Sequence, residues 1–276
     1  VTWLVALGSS FSALWILIAN GWMQHPVGSH FDFETMRMEV SNFALVMFNP
    51  VAQAKFVHTI SAGYVTGSVF VLAISSYYLL RGRNVAIARR SMTVAVAFGL
   101  ASALSVVVLG DESGYLANQH QKMKIAAIEG MWETEPAPAS LNLVGVPDQK
   151  NHVTNYTLKL PYALGLIATR SVSKPVYGID DLVNKAQEHY IPKGISAYGA
   201  LETLKKDPNN QKARAVLDQN SKYLGYAFLV KKYNKNPLLA TPTQIQKAAE
   251  DTVPKHVFLL FWAFRIMVAV GLFLII

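Results

Sequence analysis

The first 22 residues, Val1 to Trp22, contain no charged side chain. A bilayer hydrocarbon core of about 30 Å needs roughly 20 apolar residues in a helix, and this run meets that length. Three further runs match it. Phe56 to Leu80 has His58 as its only ionisable group apart from tyrosines, Ser91 to Gly110 is uncharged, and Val257 to Ile276 carries one charge, Arg265. Lipid offers no partner to a backbone N–H or C=O, so such segments are helices that satisfy their own backbone. The expected fold is therefore all-α: a multi-pass transmembrane helix bundle with four spans. Three spans fall in residues 1–110 and one, truncated, in 257–276. Residues 111–256 form a long extracytoplasmic loop region containing short helices.

Composition agrees. Hydrophobic residues make up 52% of the chain and charged residues only 15%, against about 25% charged in a soluble domain. Cysteine is absent, which excludes disulfides, zinc–thiolate sites and thiol nucleophiles. Metal chemistry must then use His, Met or carboxylates. The chain opens inside an apolar run without a basic n-region or a small-residue cleavage site, so it does not read as a signal peptide. Both ends read as truncations of a longer polypeptide.

The net charge of +8 is explained by topology rather than by nucleic acid, for which no motif is present. Arg81, Arg83, Arg89 and Arg90 crowd a short acid-free connection between the second and third spans. The positive-inside rule makes that connection cytoplasmic. Met23–Lys55 and Asp111–His256 then lie on the outer face. Asn49-Pro50 pairs an N-cap with a first-turn proline, so the second helix is expected to start early and project beyond the bilayer.

In the long segment, Trp132–Ala139 and Val146–Asp148 are turn-rich and not helical. Asp180–Lys206 and Gln211–Tyr233 carry spaced apolar residues such as Leu217, Leu224 and Phe228, as amphipathic helices do. Thr241–Gln244 resembles a capping box opening a short helix.

Several polar groups stand out from this background. His58 is intramembrane, and such groups are costly and commonly functional. It is either a structural histidine bonded to a neighbouring helix or a metal or haem ligand. Met267 alone reads as packing, but Arg265 beside it needs an anion, and haem propionates are suitable. A His/Met pair gives a six-coordinate haem suited to electron transfer. Asp111 and Glu112 are expected at the outer C-terminus of the third helix, where the helix dipole disfavours carboxylates; proton release or pairing with a cation would explain them. Lys124 and Glu129 sit in a helical stretch whose charged face is either simply solvated or able to bind and deprotonate a quinol hydroxyl. Asn20 reads as a helix–helix contact.

Taken in order, Gly21–Gly28, Phe33–Arg37, Lys55–Thr59, Gly63–Gly67, Gly110–Tyr115, Trp132–Pro138, Pro161–Gly165 and Phe264–Met267 resemble subunit I of the cytochrome bd-type quinol oxidases. The ordered set is specific where no single string is. The resemblance implies that His58 and Met267 are axial ligands of a low-spin haem b, with Arg265 near it. It implies that Lys124 and Glu129 serve quinol oxidation in an extended quinol-binding loop, and that Asn20 lies close to the high-spin haems. Ligands of the high-spin haem b and haem d, and the acidic proton-path residues, fall outside this stretch. The implied partners are ubiquinol or menaquinol, oxygen, subunit II, a small accessory subunit and membrane lipid. The implied location is the bacterial cytoplasmic membrane. A transporter or channel with a large outer domain and no haem, and a b-haem anchor serving a separate dehydrogenase, are the other readings the residues permit.

Overall fold

The computed structural model describes all residues, Val1–Ile276. The chain divides into two compact units. One comprises Val1–Gly28, Asn42–Gln121 and Trp262–Ile276, and the other Ser29–Ser41 and Lys122–Phe261.

The first unit is a helical bundle. Helix α1 runs Thr2–Gln24, the short α2 Phe43–Met47, α3 Pro50–Leu80 and α4 Val85–His120. The spans Thr2–Gln24, Phe43–Leu80 and Val85–His120 are long and apolar enough to cross a membrane. Asn49 caps α3 as the sequence suggests: its side chain accepts from Val51 N and Pro50 occupies the first turn. The same side chain, fully buried, donates to His25 O at 2.8 Å and so ties the end of α1 to the start of α3. At 31 residues, α3 is about 46 Å long, well beyond the hydrocarbon thickness.

Two expectations for α4 need correction. The third helix does not end at Gly110–Tyr115; it continues to His120 and stops where Gln121 leaves helical geometry. Asp111 and Glu112 are therefore two turns inside the helix, so no dipole conflict arises. Each makes a polar or electrostatic interaction within the protein, which removes the need for the helix to end there. At the other end, Asn84 adopts the left-handed conformation and α4 starts at Val85. Arg89 and Arg90 consequently lie on its opening turns rather than in a loop.

Helices α3 and α4 pack along each other and α1 packs on α3. The groups between them are small. Ala52, Ser61, Ser68 and Ser75 of α3 are buried, as are Ala88, Ala95, Ser102 and Ala103 of α4. A Cβ added at Gly21 would lie 2.6 Å from Ala52 Cβ, and one at Gly99 2.9 Å from Ser68 Cβ. Close backbone approach through small residues is how helices associate where lipid supplies no hydrophobic drive.

The second unit carries two hairpins and a helical cluster. Strands β1 (Ser29–Asp32) and β2 (Arg37–Val40) pair antiparallel, as do β3 (Leu141–Asp148) and β4 (Val153–Leu160). Neither hairpin follows from helical periodicity, and Val146–Asp148 is the end of a strand rather than a turn. The helices are α5 (Lys122–Glu129), α6 (Ala163–Thr169), α7 (Ile179–Lys185), α8 (Ile191–Lys206), α9 (Gln211–Asn220), α10 (Leu224–Val230) and α11 (Pro242–Glu250). One π-helical turn, Ala186–Tyr190, joins α7 to α8. Both halves of the capping box at Thr241 and Gln244 are present.

Here the core is large and branched. Leu201, Leu204, Leu217 and Leu224 form one cluster, against which Phe31 and Phe33 of the first hairpin pack. Ile191, Val230, Ala248 and Ala249 form another. The last helix, α12 (Val257–Phe273), starts in this unit and continues into the first. Its 17 residues are apolar apart from Arg265 and span about 26 Å, slightly under the bilayer core.

Candidate functional site

In the bundle, α3 presents His58, whose Nδ1 is buried and has no hydrogen-bond partner within the protein. Gly110 of α4 passes directly beside the ring: a Cβ there would lie 3.4 Å from His58 Cε1. Any larger residue would press on the imidazole, so the glycine holds space around it.

Arg265 and Met267 sit on the part of α12 that belongs to the same unit as His58. Met267 is 55% exposed within the protein, and Arg265 is half-buried and engaged by a polar or electrostatic interaction. While α3 and α4 pack on each other extensively, α12 has no comparable interface with either.

Asn20 of α1 is a helix-to-helix contact. Its Oδ1 accepts from Lys55 Nζ of α3 at 2.8 Å and from Gln24 Nε2 at 2.7 Å. Nearby in sequence, His25 at the end of α1 stacks on His120 at the end of α4, with ring centroids 3.7 Å apart. His25 belongs to the Gly21–Gly28 stretch at the exit of the first helix, whereas His120 was not singled out by the sequence.

The second unit holds Lys124 and Glu129 on α5. They are about 140° apart around the helix, and their surroundings differ. Lys124 is exposed, whereas Glu129 is only 4% exposed. The face carrying Glu129 is thus packed rather than solvated, beside the buried Ile125 and Ala126.

The segment after Glu129 is held by β3 and β4. Asn142 Nδ2 donates to Glu129 O at 3.0 Å, and Thr154 Oγ1 donates to Gly130 O at 2.5 Å. Gly130 has φ +58°, a left-handed residue closing the helix. A Cβ on it would lie 2.9 Å from Pro147 Cγ and 3.0 Å from Phe261 Cδ2. Glycine is required there on both counts. The next carbonyls, Met131 O and Trp132 O, accept from Ile179 N and Asp180 N at 2.9 Å each, which seats the first turn of α7.

Trp132 is buried, and its Nε1 donates to Thr154 Oγ1 at 3.2 Å. Its ring stacks on His152 at 4.8 Å between centroids, and His152 Nδ1 lies 2.7 Å from Asp180 Oδ1. At the hairpin turn, Asp148 is held below the usual carboxylate range by the Asn151 side chain and by the Asn151 and Lys150 backbone N–H groups. These bracing residues were missed in the sequence. The available signal was the β-branched run Val153–Leu160 following an Asp-Gln-Lys-Asn turn.

Comparison with known proteins places this arrangement. The family model described as cytochrome bd terminal oxidase subunit I matches residues 1–276. The chain is 44% identical to cytochrome bd-II ubiquinol oxidase subunit 1 of Escherichia coli over 274 residues, covering 98% of this chain and 52% of that protein. It is 34% identical to cytochrome bd ubiquinol oxidase subunit 1 of Bacillus subtilis over 188 residues, covering 68% of this chain and 40% of that one. The bd oxidase structure from Geobacillus thermodenitrificans shares the fold, with a TM-score of 0.57 at 21% identity over 98% of this chain and 66% of that chain. The chain spans about half the length of the curated relatives it matches. It belongs to the cytochrome bd terminal oxidase subunit I family.

Proposed function

We propose that this chain is the quinol-oxidising, electron-accepting part of subunit I of a quinol:oxygen oxidoreductase in the bacterial cytoplasmic membrane. Family membership over residues 1–276 is the observation that carries this reading. It agrees with the activity named for the Escherichia coli and Bacillus subtilis relatives, both ubiquinol oxidase subunits.

The residues present fit a haem. His58 has a buried ring nitrogen with no partner in the protein, and Gly110 leaves room beside the ring. Imidazole and thioether are donors suited to haem iron. His58 and Met267 would hold a low-spin haem b, with Arg265 pairing with its propionates. When bound, that group supplies one-electron acceptance from the quinol.

The chain's own residues do the rest. Glu129 accepts the proton of a quinol hydroxyl as it oxidises. Its burial keeps the carboxylate out of bulk water, where such a group acts as an effective base. Lys124 approaches from another direction around α5 and polarises a quinol oxygen. Asn142 and Thr154 fix the backbone on which Glu129 stands. Residues 111–256 lie on the outer face, opposite the Arg81–Arg90 segment. Subunit II, a small accessory subunit and the high-spin haems complete the oxidase, and oxygen is the final acceptor.

Two substitutions test the reading. His58→Ala should abolish the low-spin haem band in a reduced-minus-oxidised spectrum of the assembled complex; a band of wild-type intensity would refute the ligand. Glu129→Ala should slow quinol oxidation by roughly 10²-fold or more, the range expected for a general base, with haem content unchanged. Normal turnover would remove Glu129 from the reaction.

A further inference from the structure

The strip that begins at Glu129 is laced from two sides. Four consecutive carbonyls, those of Glu129, Gly130, Met131 and Trp132, accept hydrogen bonds. The donors to the first two, Asn142 and Thr154, stand on the β3–β4 hairpin. The donors to the last two, the backbone N–H groups of Ile179 and Asp180, open α7. A contact that joins hairpin to helix across this strip therefore helps to seat Glu129.

His152 and Asp180 make such a contact. His152 belongs to the hairpin turn, one residue before β4, and its Nδ1 lies 2.7 Å from Asp180 Oδ1. Asp180 also donates its backbone N–H to Trp132 O at 2.9 Å. Trp132 closes the circuit. Its indole N–H donates to Thr154, two residues beyond His152, and its ring lies against the imidazole, 19° from parallel and 4.8 Å between centroids. One side chain of the turn thus touches both the strip and the helix that flanks it. The residue is held there at φ +53°, a left-handed conformation uncommon outside glycine.

Both partners suit a cation. A charged imidazole gains from the carboxylate through a charge-assisted hydrogen bond and from the indole face through the ring quadrupole. A neutral imidazole can keep the hydrogen bond but loses the charge in both contacts. Histidine changes charge between about pH 5 and 8. The His152 side chain is 53% exposed, so bulk protons reach it, whereas Trp132 is 4% exposed. A charge at the rim thus bears on a packed ring and, through Thr154, on Gly130 O.

The neighbouring elements bring other ionisable groups. On the hairpin, Asp148 accepts from Asn151 and from the Lys150 N–H, and Lys159 pairs with Glu135 of the strip at 2.9 Å. The strip adds Glu133. On α7, Asp181 accepts from Thr134, and Lys185 lies over the Tyr177 ring with Lys122 of α5. Lys124 and Glu129 are the other charges of α5, and Lys255 and His256 line a cleft with Asp148. Of these carboxylates and Asp180, it is Asp180 that is bonded to the imidazole.

We propose that His152 is a positioning residue for quinol oxidation: protonated, it clasps Asp180 and Trp132 together and so holds in place the strip that carries Glu129. The inference rests on Glu129 being the proton acceptor, and the test separates the two. His152→Gln keeps a hydrogen-bond donor for Asp180 and removes the charge. Turnover of a short-chain ubiquinol by the complete oxidase is followed across about pH 5 to 8, the range of histidine. The ratio of wild-type to variant kcat should be roughly fivefold at the acid end, within reach of an exposed ion pair, and fall toward unity at the alkaline end. Asp180→Asn should give the same profile as His152→Gln, and the two together should do no more than either. A ratio that stays constant with pH would overturn the proposal, whatever its size.

A second measurement does not depend on turnover. In the oxidase grown with 5-fluorotryptophan, the fluorine resonance that disappears in Trp132→Phe belongs to Trp132. It should move with pH across the same range in the wild type and stay fixed in His152→Gln. A resonance that ignores pH in the wild type would overturn the clasp. One that moves while the kcat ratio stays constant would leave the contact without a part in the reaction, which also overturns the proposal. Normal turnover in Glu129→Ala, with the resonance still moving, would instead sink the proton-acceptor reading and take the positioning role with it.

Discussion

The bundle and the second unit solve the same problem, burying one face of each helix, with different side chains. Between α1, α3 and α4 most of the buried groups are Ala, Ser and Gly, with Ile18 and Val51 the larger exceptions, and the tightest approach is Gly21 against Ala52. In the second unit large side chains are fully buried among the alanines: Ile179, Ile191, Leu201, Leu204 and Val230. The difference follows from the solvent. Water expels a leucine at about 25 cal/mol per Å². Lipid does not, so the bundle gains from close van der Waals packing and the leucines of its helices face outward.

That contrast can be broken from either side. The largest effect is expected from Leu204→Ala, which empties a site 1% exposed within the Leu201–Leu217–Leu224 cluster. A loss of about 2–5 kcal/mol is expected, read as a lower denaturant midpoint for the second unit. Gly21→Val should act by the reverse mechanism, forcing α1 from α3 and costing about 1–3 kcal/mol. The thermal midpoint of the complex in detergent reports it. Gly63→Ala is the internal control, since nothing lies within 4 Å of a Cβ at that position; an equal loss there would end the small-residue argument.

The smallest effect is electrostatic and confined to the watery unit. Hydrogen bonds from Lys232 and Tyr233 hold the Asp251 carboxyl below its ordinary value of 3.8. A depressed acid contributes stability that is fully present above that ordinary value and lost as pH falls through the folded one. Asp251→Asn should therefore lower stability slightly at neutral pH, leave it nearly unchanged once the carboxyl is protonated, and so flatten the acid limb of a stability–pH profile. A profile with the same acid slope would dismiss the contact.

The same contrast explains what could be read in advance. Uncharged runs such as Val1–Trp22 and Ser91–Gly110 announce helices because lipid permits nothing else, and local caps at Asn49 and Thr241 follow from residue chemistry alone. The end of α4 was misplaced because Asp111 and Glu112 look like an exit when their partners, supplied by the fold, are unseen. The hairpin β3–β4 escaped notice because register shifts interrupt its strands and break the strict alternation that announces a strand. Among the site residues, His58 and Glu129 were conspicuous as charges or potential charges, but their settings differ. The solitude of His58 was legible from an apolar helix. The burial of Glu129 was not, since its backbone is held by Asn142 and its helix packs against Ile179, both brought in from farther along the chain.

The pins on the two carbonyls that close α5 act at a distance from the side chain they position. Asn142 and Thr154 grip Glu129 and Gly130 through main-chain atoms, so their substitution shifts the carboxylate without changing its chemistry. A compound designed to sit against Glu129 would accordingly meet resistance first in the hairpin, at positions that a map of drug contacts leaves blank.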